Sequence, residues 1–449
     1  MKLIVDNQYT YVETKECRDI IDSVTSFKVP GYWYSPQYKK GFWDGKSHLL
    51  SRGKFPTGLL LRVCRALQLA GETAEIVDMR QKPKLELREP SLKGIQLRDY
   101  QLEAIAACLD WERGIIALPP AAGKTNVALG VIATMNFPKT LVLVDRKDLL
   151  YQLYNVFSSQ YKDVGMVGDG KHIGGRITIA TWQSLSSGVG DYDGDVLIVD
   201  ECHKAASEKY YKVAMTSKAY YRFGLSGSAN LREDKRDMFL VGLTGEEIYS
   251  STAKELEDYL SIPLIVIYTI VKPNVPNDSP YSEVYRLGIT RNEHRNELIK
   301  NICEKYHAAG KTVLVLVKEI AHGHKLAEML ACPFLSGNSS TDERLAEASK
   351  LRDGSRKLLV ASTIFNEGLD FPDLDVVVIA SGGESTIQTL QRVGRAMRKK
   401  QFGGIVIDFD DQTHKYLKAH SAARISDYEK RVGCSISRRG VNDNEYENV

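Results

Sequence analysis

Nowhere in the chain does an apolar run approach the length needed to cross a membrane, and Met1-Lys-Leu-Ile-Val-Asp6 lacks the apolar core of a secretory signal. No Cys-x-x-Cys pair occurs, and the seven cysteines are odd in number and widely spread. Neither a zinc site nor a disulfide framework is indicated, so reduced thiols in the cytoplasm are the expectation. Strong charge of either sign is also missing. At a net +3 the chain does not attract nucleic acid through bulk electrostatics, and any basic surface must be local. What remains is ordinary globular material: 449 residues with 43% hydrophobic and 26% charged side chains. That length is enough for about three domains.

The chain is organised around Leu118-Pro119-Pro120-Ala121-Ala122-Gly123-Lys124-Thr125. A buried-type run from Gly114 to Leu118 enters it, and an apolar-periodic run from Asn126 to Met135 leaves it. Strand, small-residue loop, Gly-Lys-Thr and helix are the layout of a phosphate-binding loop. Its backbone N–H groups and the helix N-terminus behind them favour a bound anion. Lys124 would then reach the β- and γ-phosphates of ATP, and the Thr125 hydroxyl would ligate Mg2+. Upstream, the Gln101 amide carries the donor and acceptor that match an adenine edge.

Downstream the α/β alternation is regular. Strands are expected at Thr140–Val144, ending in Asp145-Arg146-Lys147, and at Arg176–Ala180, ending in Thr181-Trp182-Gln183. Two more run over Asp195–Val199, before Asp200-Glu201-Cys202-His203, and Tyr221–Leu225, before Ser226-Gly227-Ser228. Each polar cluster closes an apolar strand, where a doubly wound parallel sheet binds ligands. Asp200 is placed to hold Mg2+ and Glu201 to orient and deprotonate the attacking water; a helix-capping acid pair is the plainer alternative.

A second α/β unit starts near Ile262, with strands from Leu264, Thr312, Lys357, Val376 and Gly404, and a second phosphate loop is not read in it. It carries Thr363 to Asp370 and Gln391 to Arg398 instead. Arg392, Arg395 and Arg398, three apart, share a helix face, suited to supplying arginine fingers across a cleft or simply to a solvated basic helix. Lys272 to Gly288 reads as a pin or a loop, and residues after about 426 as a tail. Residues 1–90 read as a small α+β module with a helix from Cys17 to Phe27, a hairpin turn at Asp44-Gly45 and a closing helix from Gly58 to Gly71. There Tyr32, Trp33, Tyr34, Tyr38, Phe42 and Trp43 alternate with Lys39, Lys40 and Lys46. The rings could stack on bases while the lysines hold phosphates, or they could form a small core with the lysines solvating its edge.

From about residue 95 to 425 the chain resembles the superfamily-two helicases. Leu97-Arg98-Asp99-Tyr100-Gln101 looks like the Q-type motif, 118–125 like motif I and Asp200-Glu-Cys-His203 like the DEAH/DECH form of motif II. Ser226-Gly-Ser228, Thr363–Asp370 and Gln391–Arg398 look like motifs III, V and VI. The Leu-Ser-Gly-Ser motif and the aromatic Trp43-Asp44-Gly45 stretch are similar to the UvsW-type phage recombination helicases, related to the XPB and RecG groups. That resemblance implies two tandem RecA-like parallel-sheet domains, at 91–260 and 261–425. It implies an ATP- and Mg2+-dependent DNA helicase that acts on single-stranded, forked and four-way-junction DNA, as a monomer in the cytoplasm, that of the host if the chain is phage-encoded. For nucleotide it implies Arg98, Gln101, Pro119 to Asn126, Gly368 and Asp370, with Lys124, Asp200, Glu201, Arg395 and Arg398 catalytic. Arg146, Lys147, Thr181, Trp182, Gln183, Lys318 and Thr363 would contact the tracked strand, Ser226 and Ser228 would link nucleotide state to strand grip, and His203 with Gln391 would couple the domains, Arg392 sharing in the coupling. One departure stands out: Pro120-Ala121 replaces the usual Thr-Gly or Thr-Ser. It restricts the loop's backbone angles and puts nucleotide affinity, though not the presence of the site, in question.

Overall fold

Valine-, isoleucine- and leucine-rich runs such as Val313-Leu-Val-Leu-Val317 are apolar on both faces, which suits strands covered on both sides. Two sheets are built of such runs in the computed structural model. It describes residues 1–13, 16–119, 121–186, 194–227, 237–252, 254–256, 258–259, 263–362, 374–383, 404–429 and 435–439. The chain divides into two units, Met1–Leu118 with Gly123–Ser250, and Ser251–Val449 with Pro119–Ala122.

The first unit holds an eight-stranded sheet. Its order is Lys171–Ile173, Val164–Gly168, Ile177–Thr181, Thr140–Val144, Val196–Val199, Tyr221–Ser226, Arg113–Ala117 and Glu247–Ser250. All pairs are parallel except the outermost, Lys171–Ile173 against Val164–Gly168. Ser226 pairs with Ala117, Val199 with Gly224 and Leu143, and Thr181 with Val144. All four polar clusters therefore emerge along one edge.

In the second unit a seven-stranded sheet, parallel throughout, runs Phe334–Leu335, Leu358–Ser362, Val313–Val317, Val376–Ile379, Ile405–Asp411, Leu264–Ile270 and Ile436–Arg439. Alternate residues feed separate cores, Leu314 and Leu316 on one face and Val313, Val315 and Val317 on the other. The expected tail after 426 is corrected here, since Ile436–Arg439 returns as an edge strand beside Leu264–Ile270. The 272–288 stretch holds a helix, Tyr281–Tyr285, whose Val284 and Tyr285 pack with Val275, Ile289 and Leu417. Among the described residues no helix is long and apolar enough to cross a membrane.

The N-terminal module belongs to the first unit. Its sheet runs Lys54–Pro56, Tyr9–Val12, Lys2–Val5 and Glu75–Asp78. Leu3, Ile21, Phe55, Leu59, Val63 and Leu67 share one core with Met238 and Val241 of the helix Asp237–Thr244. Backbones touch there: a Cβ on Gly58 would lie 2.0 Å from the Val241 carbonyl oxygen. Arg62 donates to both Glu246 oxygens at 3.0 and 3.1 Å, and Asn7 and Gln8 donate to the carbonyls of Lys218 and Met215.

Two expectations change within it. The first helix is Arg18–Thr25, and Phe27 lies instead in a strand, Ser26–Lys28, paired antiparallel with Lys46–His48. Asp44-Gly45 is thus not a tight hairpin turn. Residues 29–45 form a longer excursion holding a 3-10 turn, Tyr32–Tyr34, and a short helix, Pro36–Lys39, which Pro36 opens at its first position.

Candidate nucleotide site and strand-contact surface

The Arg113–Ala117 strand delivers the chain to the loop, and the helix Lys124–Thr134 carries it away. Leu118 N donates to Ser226 O at 3.0 Å, and Asn126 N to Gly123 O at 2.8 Å, which closes the first helical turn. Gly123 has φ +79°. A Cβ there would come within 2.4 Å of the Gln101 side-chain nitrogen, which would have to shift, but it is the backbone angle that favours glycine. Ala121 also has a positive φ, +65°, a left-handed conformation that a Cβ makes costly. The departure noted in the sequence thus falls where glycine would be at ease.

Gln101 and Arg98 lie at the loop. The Arg98 backbone N donates to Gln101 Oε1 at 3.1 Å, and Arg98 Nη1 donates to the Tyr100 hydroxyl at 3.0 Å. Lys124 Nζ donates to Leu118 O at 3.4 Å, and a Cβ on Gly227 would sit 3.7 Å from it. The ammonium therefore stands between the loop and the end of the Tyr221–Ser226 strand. Gly-Lys-Ser and Gly-Lys-Thr recur at Gly45-Lys46-Ser47 and Gly310-Lys311-Thr312, but the first runs into the strand Lys46–His48 and the second leads into the strand Val313–Val317. Neither has the helix behind it that a phosphate loop needs.

Asp200 follows the Val196–Val199 strand. Burial and the neighbouring Glu201 push its carboxyl up to about 7, with Lys124 pulling the other way. Glu201 has φ +45° and opens the turn Cys202–Ala206; strained non-glycine backbone of this kind collects at functional sites. Its buried Oε2 makes no hydrogen bond and lies 3.4 Å from Nδ1 of buried His203. Two adjacent acids short of countercharge, with a threonine hydroxyl on the loop helix, are donors that fit Mg2+, which takes one or two carboxylates and completes its shell with phosphate oxygens and water. Among the described residues no three His, Cys, Asp or Glu side chains form a metal site by themselves.

Along the same edge the expected strand-contact residues come together. Trp182 Nε1 donates to Asp145 Oδ1 at 3.2 Å, Gln183 Nε2 donates to Asp145 O at 2.9 Å, and Arg146 Nε lies 3.5 Å from Asp145 Oδ2. Lys147 is exposed and pairs with Asp169, while buried Thr181 donates to Ser184 Oγ at 2.8 Å. Lys204, which no motif singled out, donates to Asp145 Oδ2 at 3.0 Å. In the second unit Lys318 closes the Val313–Val317 strand with its Nζ 5.2 Å over the Tyr285 ring. Pro120, Ser228, Thr363, Gly368, Asp370, Gln391, Arg392, Arg395 and Arg398 lie outside the described residues.

The rings of the N-terminal excursion divide between the two readings. Tyr32 is half-buried at the hub, edge-on to Trp33 at 5.2 Å and to Tyr38 at 4.6 Å, and a Cβ on Gly45 would collide with it at 2.5 Å. Trp43 donates its indole N–H to Lys46 O at 2.7 Å. Those two are structural. Trp33, Tyr34 and Phe42 face solvent beside exposed Lys39 and Lys40, while Lys46 is half-buried in its strand.

Residues 94–231 match the family described as type III restriction enzyme, res subunit, and 293–400 match the helicase conserved C-terminal domain. A DNA 3′–5′ translocase XPB2 of Sulfurisphaera tokodaii is 28% identical over 359 residues, covering 70% of this chain and 81% of the relative. The ATP-dependent DNA helicase uvsW of Enterobacteria phage T4 is 26% identical over 418 residues, 83% of this chain and 82% of the relative. Saccharomyces cerevisiae Dbp5, solved bound to RNA and ADP BeF3, has the same fold at a TM-score of 0.57 and 15% identity, over 77% of this chain and 90% of that one. Two helicase domains matched in order, each on a parallel RecA-like sheet, place the chain among the superfamily-two helicases, which makes it an ATP-dependent enzyme.

Proposed function

We propose that this helicase moves along DNA, unwinds forks and branch-migrates recombination intermediates such as four-way junctions, working as a monomer in the cytoplasm, that of the host if the chain is phage-encoded. The observation that carries the branched-DNA part is the ring cluster of the N-terminal excursion. Trp33, Tyr34 and Phe42 are 52%, 73% and 83% exposed beside Lys39 and Lys40, on a module whose core is continuous with the motor domain. Rings held out in water suit stacking on unpaired bases or on the end of a duplex, with lysines on the phosphates. DNA as the track is supported by the printed functions of the archaeal and phage relatives, and a 3′–5′ direction by the first of them.

In the hydrolysis step Lys124 faces the β- and γ-phosphates, and Glu201 takes a proton from the attacking water. Thr125 and Asp200 would hold Mg2+, which would supply neutralisation of the phosphoryl charge. Arg395 and Arg398 stabilise the transferring group, while Gly368 and Asp370 complete the nucleotide contacts. His203, Ser226, Ser228, Gln391 and Arg392 tie nucleotide state to grip on a strand held by Arg146, Lys147, Thr181, Trp182, Gln183, Lys318 and Thr363.

Deleting the module is not the test, because it would strip cover from Met238 and Val241. Replacing Trp33, Tyr34 and Phe42 together by Ala removes only exposed rings. That variant should keep single-strand-stimulated ATPase and lose most four-way-junction resolution. Reversing the charge of Lys39, Lys40 and Lys46 should flatten the salt dependence of junction binding by about one log-log unit per lost phosphate contact. Junction resolution at the rate of the unmodified protein by the triple-alanine variant would sink the reading. Steady-state ATPase across ssDNA, duplex, fork, junction and RNA separates the alternatives. Preference for strands bearing 2′-hydroxyls marks an RNA helicase, and duplex stimulation without unwinding marks a translocase.

A further inference from the structure

One carboxylate is shared between the strand-contact residues and the acidic loop. Asp145 accepts from Trp182 through Oδ1 and from Lys204 through Oδ2, the latter also facing Arg146 Nε, and its carbonyl accepts from Gln183. Trp182 lies flat on Tyr210, with 5.5 Å between centroids and 16° between planes, which fixes the indole against the sheet edge. On the other side, Lys204 N donates to Glu201 O at 3.0 Å, so the turn that carries the candidate base also carries the ammonium. The pair is sheltered, with Lys204 16% and Asp145 22% exposed. Burial opposes ionisation of Asp145, but Lys204 and the Trp182 N–H more than offset it and hold the carboxyl below its usual range.

We propose that the Lys204–Asp145 ion pair is the link through which an occupied strand site reaches Glu201, making Lys204 a positioning residue for hydrolysis. The proposal rests on the reading of the protein as a nucleic-acid motor. A phosphate bound at Arg146 draws that guanidinium away from Asp145 Oδ2 and leaves the carboxylate to Lys204. Lys204 is then pulled toward the strand side and takes the Glu201 turn with it. Glu201 holds a left-handed backbone that its surroundings must maintain, so a shift of the turn that carries it moves its carboxylate. Both sites would thereby act on one element, the turn that carries Glu201, and coupling requires of that turn a second arrangement.

The test uses the full chain with Lys204→Met, Lys204→Arg, Asp145→Asn and the Lys204→Met/Asp145→Asn double variant. ATPase is measured with and without oligo-dT, together with KM for ATP and Kd for oligo-dT. Lys204→Met should leave unstimulated turnover, KM and Kd within about twofold and cut strand-stimulated kcat by about fivefold or more, the low end of ordinary coupling between sites. Lys204→Arg should restore stimulation. In the double variant the loss should be no greater than in the worse single variant, since both remove one interaction. Stimulation at the unmodified level in Lys204→Met overturns the link, and so does an equal fall in stimulated and unstimulated rates, which is what simple loss of packing would give. If the unmodified protein responds to no nucleic acid at all, the motor reading itself fails and the link falls with it.

Discussion

Ala121→Gly tests whether the phosphate loop stores backbone strain. Ala121 has φ +65°, and a left-handed residue with a Cβ costs roughly 1–2 kcal/mol. Glycine removes that cost but adds about 0.5–1 kcal/mol of chain entropy to the unfolded state. The net expectation is a gain of about 0.5–1 kcal/mol. The left-handed angle is a property of the folded loop, so the gain is expected in folding. For a unit of this size it raises Tm by about 1–4 °C. Nucleotide-free melting and ATP titration of the same two proteins separate the terms, with Tm rising and ATP affinity moving less than about threefold. Ala121→Val sets the opposite sign, since a β-branched side chain tolerates a positive φ least. A lower Tm for the glycine variant, or a valine variant that melts with the unmodified protein, would refute the strain argument.

Glu201→Gln should bind Mg·ATP tightly yet lose about 10²–10⁴ in kcat, the contribution of a positioned base; turnover within tenfold of the unmodified rate would remove Glu201 from that role. Arg395→Ala and Arg398→Ala should each leave nucleotide affinity within several-fold while kcat falls by about 10³–10⁵, or about 4–7 kcal/mol of barrier, and only few-fold losses in both would exclude the finger model. His48 links Asp22, at 2.7 Å, to Asp44, at 3.0 Å, under the aromatic excursion, and chiefly the Asp22 hydrogen bond raises its pKa. Its stabilising effect is complete below the ordinary histidine value of about 6.5 and disappears as pH climbs through the raised one. Amide exchange at 44–48, corrected for intrinsic rate, should therefore speed up as pH rises through that raised value, and His48→Gln should abolish that dependence.

The strands that sequence periodicity located are those buried on both faces, such as Thr140–Val144 and Val376–Ile379. Those it missed are mostly edges. Lys171–Ile173 is exposed along its length, and Ile436–Arg439 carries Arg438 and Arg439, so neither bears an apolar pattern. Polar edges discourage pairing with other chains, and the same polarity hides them from a search for hydrophobic periodicity. In the nucleotide site the motif residues could be named, but the angles of Ala121 and Glu201 could not. Glycine, and more weakly Asn and Asp, write a positive φ into a sequence, and both positions hold other residues.

Lys204 was hidden for another reason. Its partner Asp145 ends a different strand, and the pair forms because Val196–Val199 and Thr140–Val144 are neighbours in the sheet. The N-terminal boundary follows the same logic on a larger scale. Residues 1–90 look separable because a polar, proline-punctuated stretch from Gln81 to Leu92 follows them. Their core nevertheless closes on Met238 and Val241, and Gly58 has no room for a Cβ beside the Val241 carbonyl. A boundary read from a linker assumes that each side buries its own apolar surface, and here one core is made by both. The exposed rings of the excursion are consequently held at a fixed place on the motor domain rather than on a tether. The proposed branch recognition requires such a place, since a motor's steps can move a junction only past an element fixed to it.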